Sequence, residues 1–297
     1  MSDLSIIVIS WDTRELLKTC IDSIYKNSPD FPFELIVVDN ASSDGSQEMV
    51  KENFSDVLLI EGTENLGFGR ACNLGARQSH GRYILFLNSD IVMHPGTLKG
   101  SVEFMDSHQD AGIMGCRTLN VDGTFQPTAY NFPSIVRIFA LVLRLNRIFK
   151  LSRLKGRAKI KSSDYVQGSF LIIKRDVLAE VGEFDEKLFM YSEDTDLCLR
   201  AKLADWEVYY NPEISVTHVG GGSIKDSRMA LENIILSTLY LYKKHKSSFD
   251  LILLKFAIGF ALIVRTLIDL FSSLLRGKFL DRGTVTFYRG LISTIMK

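Results

Sequence analysis

The stretch RYILFLNSD at residues 82–90 is an apolar run that ends in a polar triplet. A short apolar run rich in aliphatic and aromatic residues predicts a strand that is buried on both faces. Leu4–Ser10 and Phe33–Val38 have the same character, and the second run stops at Asp39 and Asn40. Polar residues that directly follow buried parallel strands lie at the sheet edge where ligands bind.

Segments with helical spacing alternate with these runs. They are Arg14–Asn27, Ser46–Asn53 and Gly67–Ser79, with a further short strand at Val57–Ile60. Strands that alternate with helices predict an α/β fold with a Rossmann-like, mostly parallel sheet flanked by helices. We therefore assign residues 1–95 to a nucleotide-binding half.

The pattern changes after Pro95. Residues 121–124, Val-Asp-Gly-Thr, predict a hairpin turn, and Val166–Ile173 and Trp206–Tyr210 predict strands on either side of a helix at Asp194–Ala204. We divide the chain into a globular domain and a helical extension. The domain covers residues 1–230, with a second half at 96–230 and a basic amphipathic insert at 134–161, and the extension covers 231–297.

Charge is distributed unevenly along a chain that is neutral overall. Ile135–Lys161 has nine basic residues and no acidic one, and Tyr242–Lys297 has ten basic against three acidic residues. These segments carry a net +16, so the remainder carries −16. Such a basic face predicts contact with an anionic membrane surface. Nucleic acid is disfavoured, because the basic residues alternate with aliphatic rather than stacking aromatic ones.

Two apolar segments stand outside the globular plan. Over 134–150 a helical spacing places Arg137, Arg144 and Arg147 on one side. Phe249–Leu275 is longer, but it contains four charged residues, two of them basic. Two basic residues at a bilayer centre cost about 5–7 kcal/mol, which roughly offsets the gain from a dozen apolar side chains. We expect a helix in the membrane interface, with a spanning helix or a packed, dimer-forming helix as alternatives.

Cysteine usage and the N-terminus bear on the cellular compartment. The four cysteines show no CxxC spacing, which disfavours zinc and disulfide frameworks and predicts a reducing compartment. Leu4–Ile9 is too short for the apolar core of a signal peptide. We expect a cytoplasmic protein that is peripherally attached to the inner face of the plasma membrane.

Two sets of residues suggest catalysis. Glu193 and Asp194 begin a predicted helix, and two clustered carboxylates raise the pKa of one, which suits a general base. Helix capping is the alternative interpretation. Asp90 and His218 could hold Mg²⁺ or Mn²⁺ if a diphosphate supplies most of the other oxygens. A strand-ending turn and a structural histidine are the alternatives.

The stretch NLGFGRACN at residues 65–73 is not a dinucleotide fingerprint, because Cys72 stands where the third glycine belongs. Its glycines let the backbone approach a nucleotide, and we expect Asn73 on the exposed face of the helix. Asp39 could accept a hydrogen bond from a pyrimidine ring N–H or from ribose hydroxyls, although an Asx turn is the simpler interpretation.

Six ordered motifs carry a resemblance to a known family. They are SIIVISWD (5–12), LIVVDNASSDGS (35–46), ENLGFGRACNLG (64–75), YILFLNSD (83–90), QGSFLIIKRDVLAEVGEFDEKLFMYSEDTDLCLR (167–200) and VYYNPEISVTHVGGGS (208–223). The chain resembles family 2 glycosyltransferases with the GT-A fold, near the bacterial rhamnosyltransferase-like branch. Each motif is weak alone, but the ordered set is specific.

The resemblance implies site residues. Asp194 resembles the catalytic base, and Asp90 and His218 resemble the ligands of Mg²⁺ or Mn²⁺. The nucleotide-sugar donor would contact Ser10, Asp39, Asn40, Asp44, Asn65, Gly67, Asn73, Asn88 and Ser89. The acceptor would contact Gly168, Phe184, Asp185 and Glu193. Residues 1–230 would then be the GT-A glycosyltransferase domain, with 96–230 as its acceptor and catalytic half, and 231–297 would be a membrane-associating extension.

The resemblance also implies an activity: inverting, metal-dependent transfer of rhamnose from dTDP-rhamnose to a lipid-linked saccharide in cell-surface polysaccharide synthesis, such as that of O-antigen. A UDP-hexose or UDP-galactofuranose donor, or a non-catalytic sugar-nucleotide-binding scaffold, are the alternatives, and a homodimer stays open. Asn88 replaces an acidic residue of the family pattern, Trp11 and Asp12 stand where an aromatic–Asn pair is common, and Asp205 replaces a glycine.

Overall fold

The computed structural model describes residues 3–145, 159–220, 227–276 and 282–296. The chain forms two compact units. Unit 1 consists of Met1–Phe132 with Arg153–Lys225, and unit 2 of Pro133–Ser152 with Asp226–Lys297. The described residues 133–145 thus belong with the C-terminal helices and not with the catalytic half. The rest of the insert up to residue 158, including Arg147, lies outside the described residues.

Twelve strands occur in the described part of unit 1. They are β1 Leu4–Ser10, β2 Phe33–Asp39, β3 Leu58–Glu61, β4 Tyr83–Asn88, β5 Ile91–Met93, β6 Ala111–Leu119, β7 Phe125–Gln126, β8 Ala129–Tyr130, β9 Lys161–Ser162, β10 Tyr165–Val166, β11 Phe170–Lys174 and β12 Glu207–His218. The main sheet has the order β3-β2-β1-β4-β11-β6-β12-β5, with β7 beside β6 and β9 beside β12, and β8 pairs with β10.

Ten helices occur in the described residues. They are α1 Arg14–Lys26, α2 Ser46–Asn53, α3 Phe68–Gln78, α4 Thr97–Ser107, α5 Ile135–Val142, α6 Arg175–Val181, α7 Glu193–Leu203, α8 Ser227–His245, α9 Ser248–Leu275 and α10 Arg282–Met296. Alternate residues of β1 face two separate cores. Leu4, Ile6 and Val8 pack in the core that α1, α2 and α4 cover, whereas Ile7 and Ile9 pack in the core that α3, α6 and α7 cover.

Most of the predicted elements are confirmed, and the exceptions have local causes. In the first 95 residues every predicted helix and strand is present within about one residue at each end. The predicted strand Val166–Ile173 is divided between β10 and β11, because residues 167–169 leave the ladder. The predicted helix over 134–150 ends at Val142, and Arg144 adopts a left-handed backbone with φ 59°. Helices α4 and α6 and strands β5, β6, β8 and β9 were not predicted.

Unit 2 packs its helices around the long helix α9. Its core joins Ile138 and Val142 of α5 to Ile258 and Leu262 of α9. Helix α9 begins with a capping box between Ser247 and Asp250, which satisfies N–H groups at its first turn. By length and composition alone, α9 is long and apolar enough to cross a membrane.

Gly75 of α3 and Gly100 of α4 give a matched test of how closely each helix packs in unit 1. A Cβ on Gly75 of α3 would lie 2.4 Å from Ile7 Cγ2, whereas a Cβ on Gly100 of α4 would make ordinary contacts at 3.6 Å from Ile214. We expect Gly75→Ala to lower the free energy of unfolding by about 1–3 kcal/mol through overpacking. Gly100→Ala should leave it unchanged or raise it by up to about 1 kcal/mol. Urea unfolding of both variants measures this, and equal effects would contradict the close approach of α3 to β1.

Candidate active site

Three parallel strands place their terminal residues side by side. Ser10 pairs in register with Asp39, and Ile9 pairs with Asn88, so β1, β2 and β4 end at one edge of the sheet. A chain of hydroxyls crosses this edge: Ser10 Oγ lies 3.0 Å from Thr13 Oγ1, which lies 2.7 Å from Ser89 Oγ. The predicted donor residues at the strand ends are therefore brought together.

Asp39 is fully buried and only half satisfied. Its Oδ1 accepts hydrogen bonds from Ser42 N at 2.9 Å and from Gln47 Nε2 at 2.7 Å. Its Oδ2 and the neighbouring Asn40 Oδ1 are buried without a hydrogen-bond partner among the described residues. Buried polar atoms are nearly always hydrogen-bonded, so two orphaned acceptors at a ligand-binding edge point to N–H or O–H donors of a ligand.

Other predicted donor residues bond to the protein itself. Asp44 accepts from the backbone N–H of Arg14 at 2.8 Å and from Ser46, so it caps α1 and α2. Burial acts to raise the pKa of Asp44, but these hydrogen bonds together lower it below its ordinary value. Asn65 Oδ1 accepts from Gly67 N at 2.9 Å. Gly67 has φ 78°, and a Cβ there would meet the carbonyl oxygen of Phe189, so only glycine fits. These residues shape the loops.

Asp90 and His218 form the candidate metal pair. His218 pairs with Ile91 across β12 and β5, and its Nε2 lies 3.1 Å from Asp90 Oδ1. The contact lacks hydrogen-bond geometry, so this buried Oδ1 has no hydrogen-bond donor among the described residues. His218 Nδ1 donates to Gln126 Oε1 at 2.9 Å, which leaves the lone pair of a neutral ring on Nε2.

The facing lone pairs of Asp90 and His218 fit a shared divalent cation. A carboxylate oxygen and an imidazole nitrogen are suitable ligands, and Gln126 fixes the ring orientation as outer-shell partners commonly do. In the described part of the chain no group of three or more His, Cys, Asp or Glu side chains could hold a metal. Any cation at this pair would take its remaining ligands from substrate and water, as is usual for Mg²⁺.

Asp194 is fixed at the N-terminus of α7 by three hydrogen bonds. Its Oδ2 accepts from Gly168 N at 3.0 Å, and its Oδ1 accepts from the backbone N–H and the hydroxyl of Thr195. A Cβ on Gly168 would lie 2.6 Å from the Phe68 ring, so a side chain cannot replace this glycine without displacement. Burial raises the pKa of Asp194 above its ordinary value, although these bonds oppose the shift.

Glu193 directly precedes Asp194 and is buried in the protein interior. It is 7% exposed, and its Oε2 has no hydrogen-bond partner among the described residues. Burial and the neighbouring charge of Asp194 raise the pKa of Glu193 to about 8. A neutral Glu193 at physiological pH leaves the negative charge of the pair on Asp194, which is the state that a general base requires. Acceptor binding by Glu193 stays a prediction.

Asn73 of α3 fixes the loop at residues 182–192 through the backbone of Phe184. Asn73 is buried, not exposed as predicted, because its amide donates to Phe184 O at 3.0 Å and accepts from Phe184 N at 2.9 Å. Phe184 is buried too, with its ring edge against Phe86. Asp185 Oδ1 accepts from Lys187 N at 3.0 Å. Phe184 and Asp185 therefore shape the loop, and their contact with an acceptor stays a prediction.

Backbone strain marks the last residues of this loop. Tyr191 and Ser192 both have left-handed conformations, with φ 69° and 70°, directly before Glu193. Such conformations are costly for residues other than glycine and cluster at functional sites. Here they turn the chain sharply into α7 and aim its N-terminus at the sheet edge.

Three residues that support the candidate site were not predicted from the sequence: Thr13, Gln47 and Gln126. Each contacts a predicted residue through its side chain. Only Gln126 had a usable signal, because it follows the predicted hairpin turn at 121–124 and β7 pairs back onto β6. Gly221, Gly222 and Ser223, which follow His218 in the last motif, lie outside the described residues.

Comparisons with known proteins follow the same pattern as the motifs. Residues 5–182 match the family described as glycosyl transferase family 2. The chain is 27% identical over 212 residues to N-acetylglucosaminyl-diphospho-decaprenol L-rhamnosyltransferase of Mycobacterium tuberculosis, covering 63% of this chain and 66%, just under two thirds, of that protein. It is also 27% identical over 224 residues to rhamnosyltransferase WbbL of Escherichia coli, covering 72% of this chain and 82% of that protein.

Solved structures share the fold. The mannosyltransferase PcManGT of Pyrobaculum calidifontis, in complex with GDP-Man and Mn²⁺, has a TM-score of 0.62 at 18% identity and covers 99% of this chain and 84% of its own. Staphylococcus aureus TarS 1–349 with UDP-GlcNAc has a TM-score of 0.57 at 17% identity, over 88% of this chain and 80% of its own. These likenesses confirm the GT-A fold. The family match, which covers more than half of the chain, shows that this protein belongs to glycosyl transferase family 2.

Proposed function

We propose that this protein is an inverting glycosyltransferase that moves rhamnose from dTDP-rhamnose to a hydroxyl of a lipid-linked saccharide in cell-surface polysaccharide synthesis. The observation that carries the proposal is Asp194, a carboxylate with a raised pKa that two backbone N–H groups fix at the sheet edge. The names of the two relatives described above support rhamnose as the sugar, and the name of the mycobacterial one supports a diphospholipid acceptor.

The donor would bind along the ends of β1, β2 and β4. Asp39 Oδ2 and Asn40 Oδ1 would accept hydrogen bonds from the nucleobase or the ribose, because both oxygens otherwise stay unsatisfied. Asn88 ends β4 and Ser89 follows it at the same edge, next to Asp90. In this arrangement the nucleoside would lie near Asp39 and the diphosphate near Asp90.

Asp90 and His218 would hold Mg²⁺ or Mn²⁺. The cation, when bound, would supply positive charge that stabilises the leaving nucleoside diphosphate. Gln126 would keep the His218 ring in a ligating orientation, because its Oε1 accepts a hydrogen bond from Nδ1. Because Asn88 stands where the family pattern has an acid, the protein supplies one carboxylate here.

Asp194 would act as the general base. It takes the proton of the acceptor hydroxyl while the hydroxyl oxygen forms a bond to the anomeric carbon. The bond from that carbon to the diphosphate oxygen breaks on the opposite face, and its electron pair leaves with the nucleoside diphosphate. One displacement inverts the configuration. The Gly168 and Thr195 N–H groups orient the carboxylate, and a neutral Glu193 avoids a second buried charge.

We propose peripheral attachment to the cytoplasmic face of the membrane, where a lipid-linked acceptor would be found. Helix α9 supports this, because its exposed large side chains are all apolar. They are Phe249, Ile252, Leu253, Phe256, Phe260, Ile263, Leu267, Ile268, Leu270, Phe271, Leu274 and Leu275. A helix with one apolar face and basic residues nearby is typical of an interfacial anchor.

Two alternatives differ in measurable ways. A UDP-sugar donor keeps the fold and the mechanism. It is favoured by the structure of Staphylococcus aureus TarS 1–349 in complex with UDP-GlcNAc, since TarS is 27% identical to this chain over 171 residues. A non-catalytic scaffold would bind a sugar nucleotide without turnover.

Donor binding and turnover test the proposal directly. We expect calorimetry with Mn²⁺ to show tighter binding of dTDP-rhamnose than of UDP-glucose, UDP-galactose or UDP-galactofuranose. Asp194→Asn should retain donor binding but lower kcat by about 10²–10⁴-fold, because an amide cannot accept the proton. Transfer to a synthetic lipid-linked N-acetylglucosamine measures kcat.

Asp205→Asn is the matched control, because Asp205 lies beyond the other end of α7 with φ 63°, which asparagine tolerates. It should retain full turnover. A preference for a UDP-sugar would overturn the donor assignment alone. Donor binding without any turnover in the unmodified protein would favour the scaffold.

The metal pair can be tested through its supporting residue. Gln126→Leu removes the acceptor that orients His218, and we expect it to weaken Mn²⁺ binding in the presence of nucleotide by about 10–100-fold. Electron paramagnetic resonance of free Mn²⁺ measures the affinity without catalysis. His94→Gln is the control, since His94 bonds Ser215 and Thr217 instead. Equal affinities in both variants would contradict a metal role for His218.

The raised pKa of Glu193 predicts a pH-dependent stability. The folded protein holds a proton that the unfolded chain releases above about 4.5, so Glu193 destabilises the fold progressively between pH 4.5 and 8. Glu193→Gln cannot lose that proton. We expect its free energy of unfolding, relative to wild type, to rise with pH over this window by on the order of a few kcal/mol. Denaturant unfolding at pH 5, 6.5 and 8 measures this, and a constant difference would contradict it.

A further inference from the structure

Unit 2 contains a cavity that the proposed reaction does not use. The cavity has a volume of about 750 Å³ and lies among α5, α8, α9 and α10. Four arginines line it, Arg144, Arg228, Arg265 and Arg276, against a single carboxylate among its described lining residues, Asp269. Such an excess of guanidinium groups suits a phosphate or another oxyanion, which arginine binds through paired N–H donors.

The single carboxylate of the cavity is already engaged. Asp269 Oδ2 lies 3.6 Å from Arg265 Nε and accepts from the Tyr288 hydroxyl at 3.2 Å. Arg265 is buried, stacks at 5.6 Å over the Tyr288 ring and donates to Val142 O at 2.6 Å. Arg265 and Asp269 therefore hold the helices together. The positive excess of the lining comes from the other three arginines, of which Arg228 also donates to Thr284 at 2.9 Å.

An apolar groove adjoins the cationic cavity. It has a volume of about 540 Å³, and its lining includes Leu267, Ile268 and Phe271 of α9. The groove and the cavity share Ser272 and Arg276. Cationic and apolar surfaces thus meet at the last turns of α9, and the apolar side chains there are exposed.

We propose that this composite site binds a membrane lipid whose head group carries a phosphate, with the phosphate among Arg144, Arg228 and Arg276 and an acyl or prenyl chain along the groove. A free phosphate would satisfy the arginines but would leave the adjoining groove uncovered. A lipid covers both surfaces at once, and charge complementarity selects an anionic head group. The site lies wholly within unit 2 and is independent of the sugar transfer proposed for unit 1.

Monomeric short-chain lipids test the site without a membrane surface. Dihexanoylphosphatidic acid, below its micellar concentration, is titrated calorimetrically into the full chain. We expect saturable binding of one lipid per chain and about tenfold weaker binding in Arg144→Gln/Arg276→Gln, because charge-assisted hydrogen bonds are lost. If the double variant folds poorly, Arg276→Gln alone can be used, because Arg276 lies at the exposed end of α9. We expect it to show a smaller loss of lipid affinity.

Charge-matched controls separate a site from general attraction. Lys243→Gln/Lys246→Gln removes two charges of unit 2 outside the cavity lining and should leave the affinity unchanged. Phe271→Ser should weaken lipid binding but not the binding of inorganic phosphate, which we expect to be more than tenfold weaker than that of the lipid. Any of three results would overturn the proposal. They are an absence of saturable lipid binding, an equal loss of lipid affinity in Arg144→Gln/Arg276→Gln and Lys243→Gln/Lys246→Gln, or binding of inorganic phosphate as tight as that of the lipid.

Discussion

The register of three parallel strands is the constraint on which the site depends. Because Ser10 lies opposite Asp39 and Ile9 opposite Asn88, the chain leaves β1, β2 and β4 at the same level. Backbone hydrogen bonds continue past the strand ends, from Asn40 N to Ser10 O and from Ser89 N to Ile9 O. The loops therefore start from fixed points, and a shift of one residue would turn every side chain to the opposite face.

The antiparallel strand β11 brings Asp194, the proposed base, to the same edge. Asn88 N donates to Ser169 O at 3.2 Å, and the neighbouring Gly168 N donates to Asp194. A short path of hydrogen bonds thus runs from β4 to α7. The break between β10 and β11 is what frees the Gly168 N–H for the carboxylate, since a continuous strand would use it in the ladder. An irregularity in the sheet is in this way part of the site.

Sequence patterns predicted what depends on local periodicity and missed what depends on pairing. The alternation in the first 95 residues predicted the strands and helices that are found there, and polar residues after strands pointed to Asp39 and Asp90 as candidate site residues. The burial of Asn73 was not predictable, because its partners are the backbone groups of Phe184, which lie 111 positions along the chain. Helical spacing placed Asn73 on α3, but only the packing of the 182–192 loop shows which side of α3 is covered.

The charges of α9 show how packing changes an energetic argument. The sequence-based cost of about 5–7 kcal/mol assumed that Lys255 and Arg265 face lipid. Arg265 instead points inward to Val142 O, so this charge does not interrupt the outer apolar face. Two of the helices that pack on α9 are short: α5 is about 12 Å long and α10 about 22 Å, against a hydrocarbon core of about 30 Å. Helix α8, which also packs on α9, has 19 residues and is about 28 Å long.

A spanning α9 would carry these short partners, with their exposed arginines, into the hydrocarbon. Burial of a single helix face at the interface requires no such transfer, because the opposite face already packs within unit 2. In that position the exposed apolar side chains would enter the acyl layer, and the exposed Arg144 and Arg289 would not have to cross the hydrocarbon. The packing of unit 2 therefore favours the proposed interfacial position over a transmembrane one.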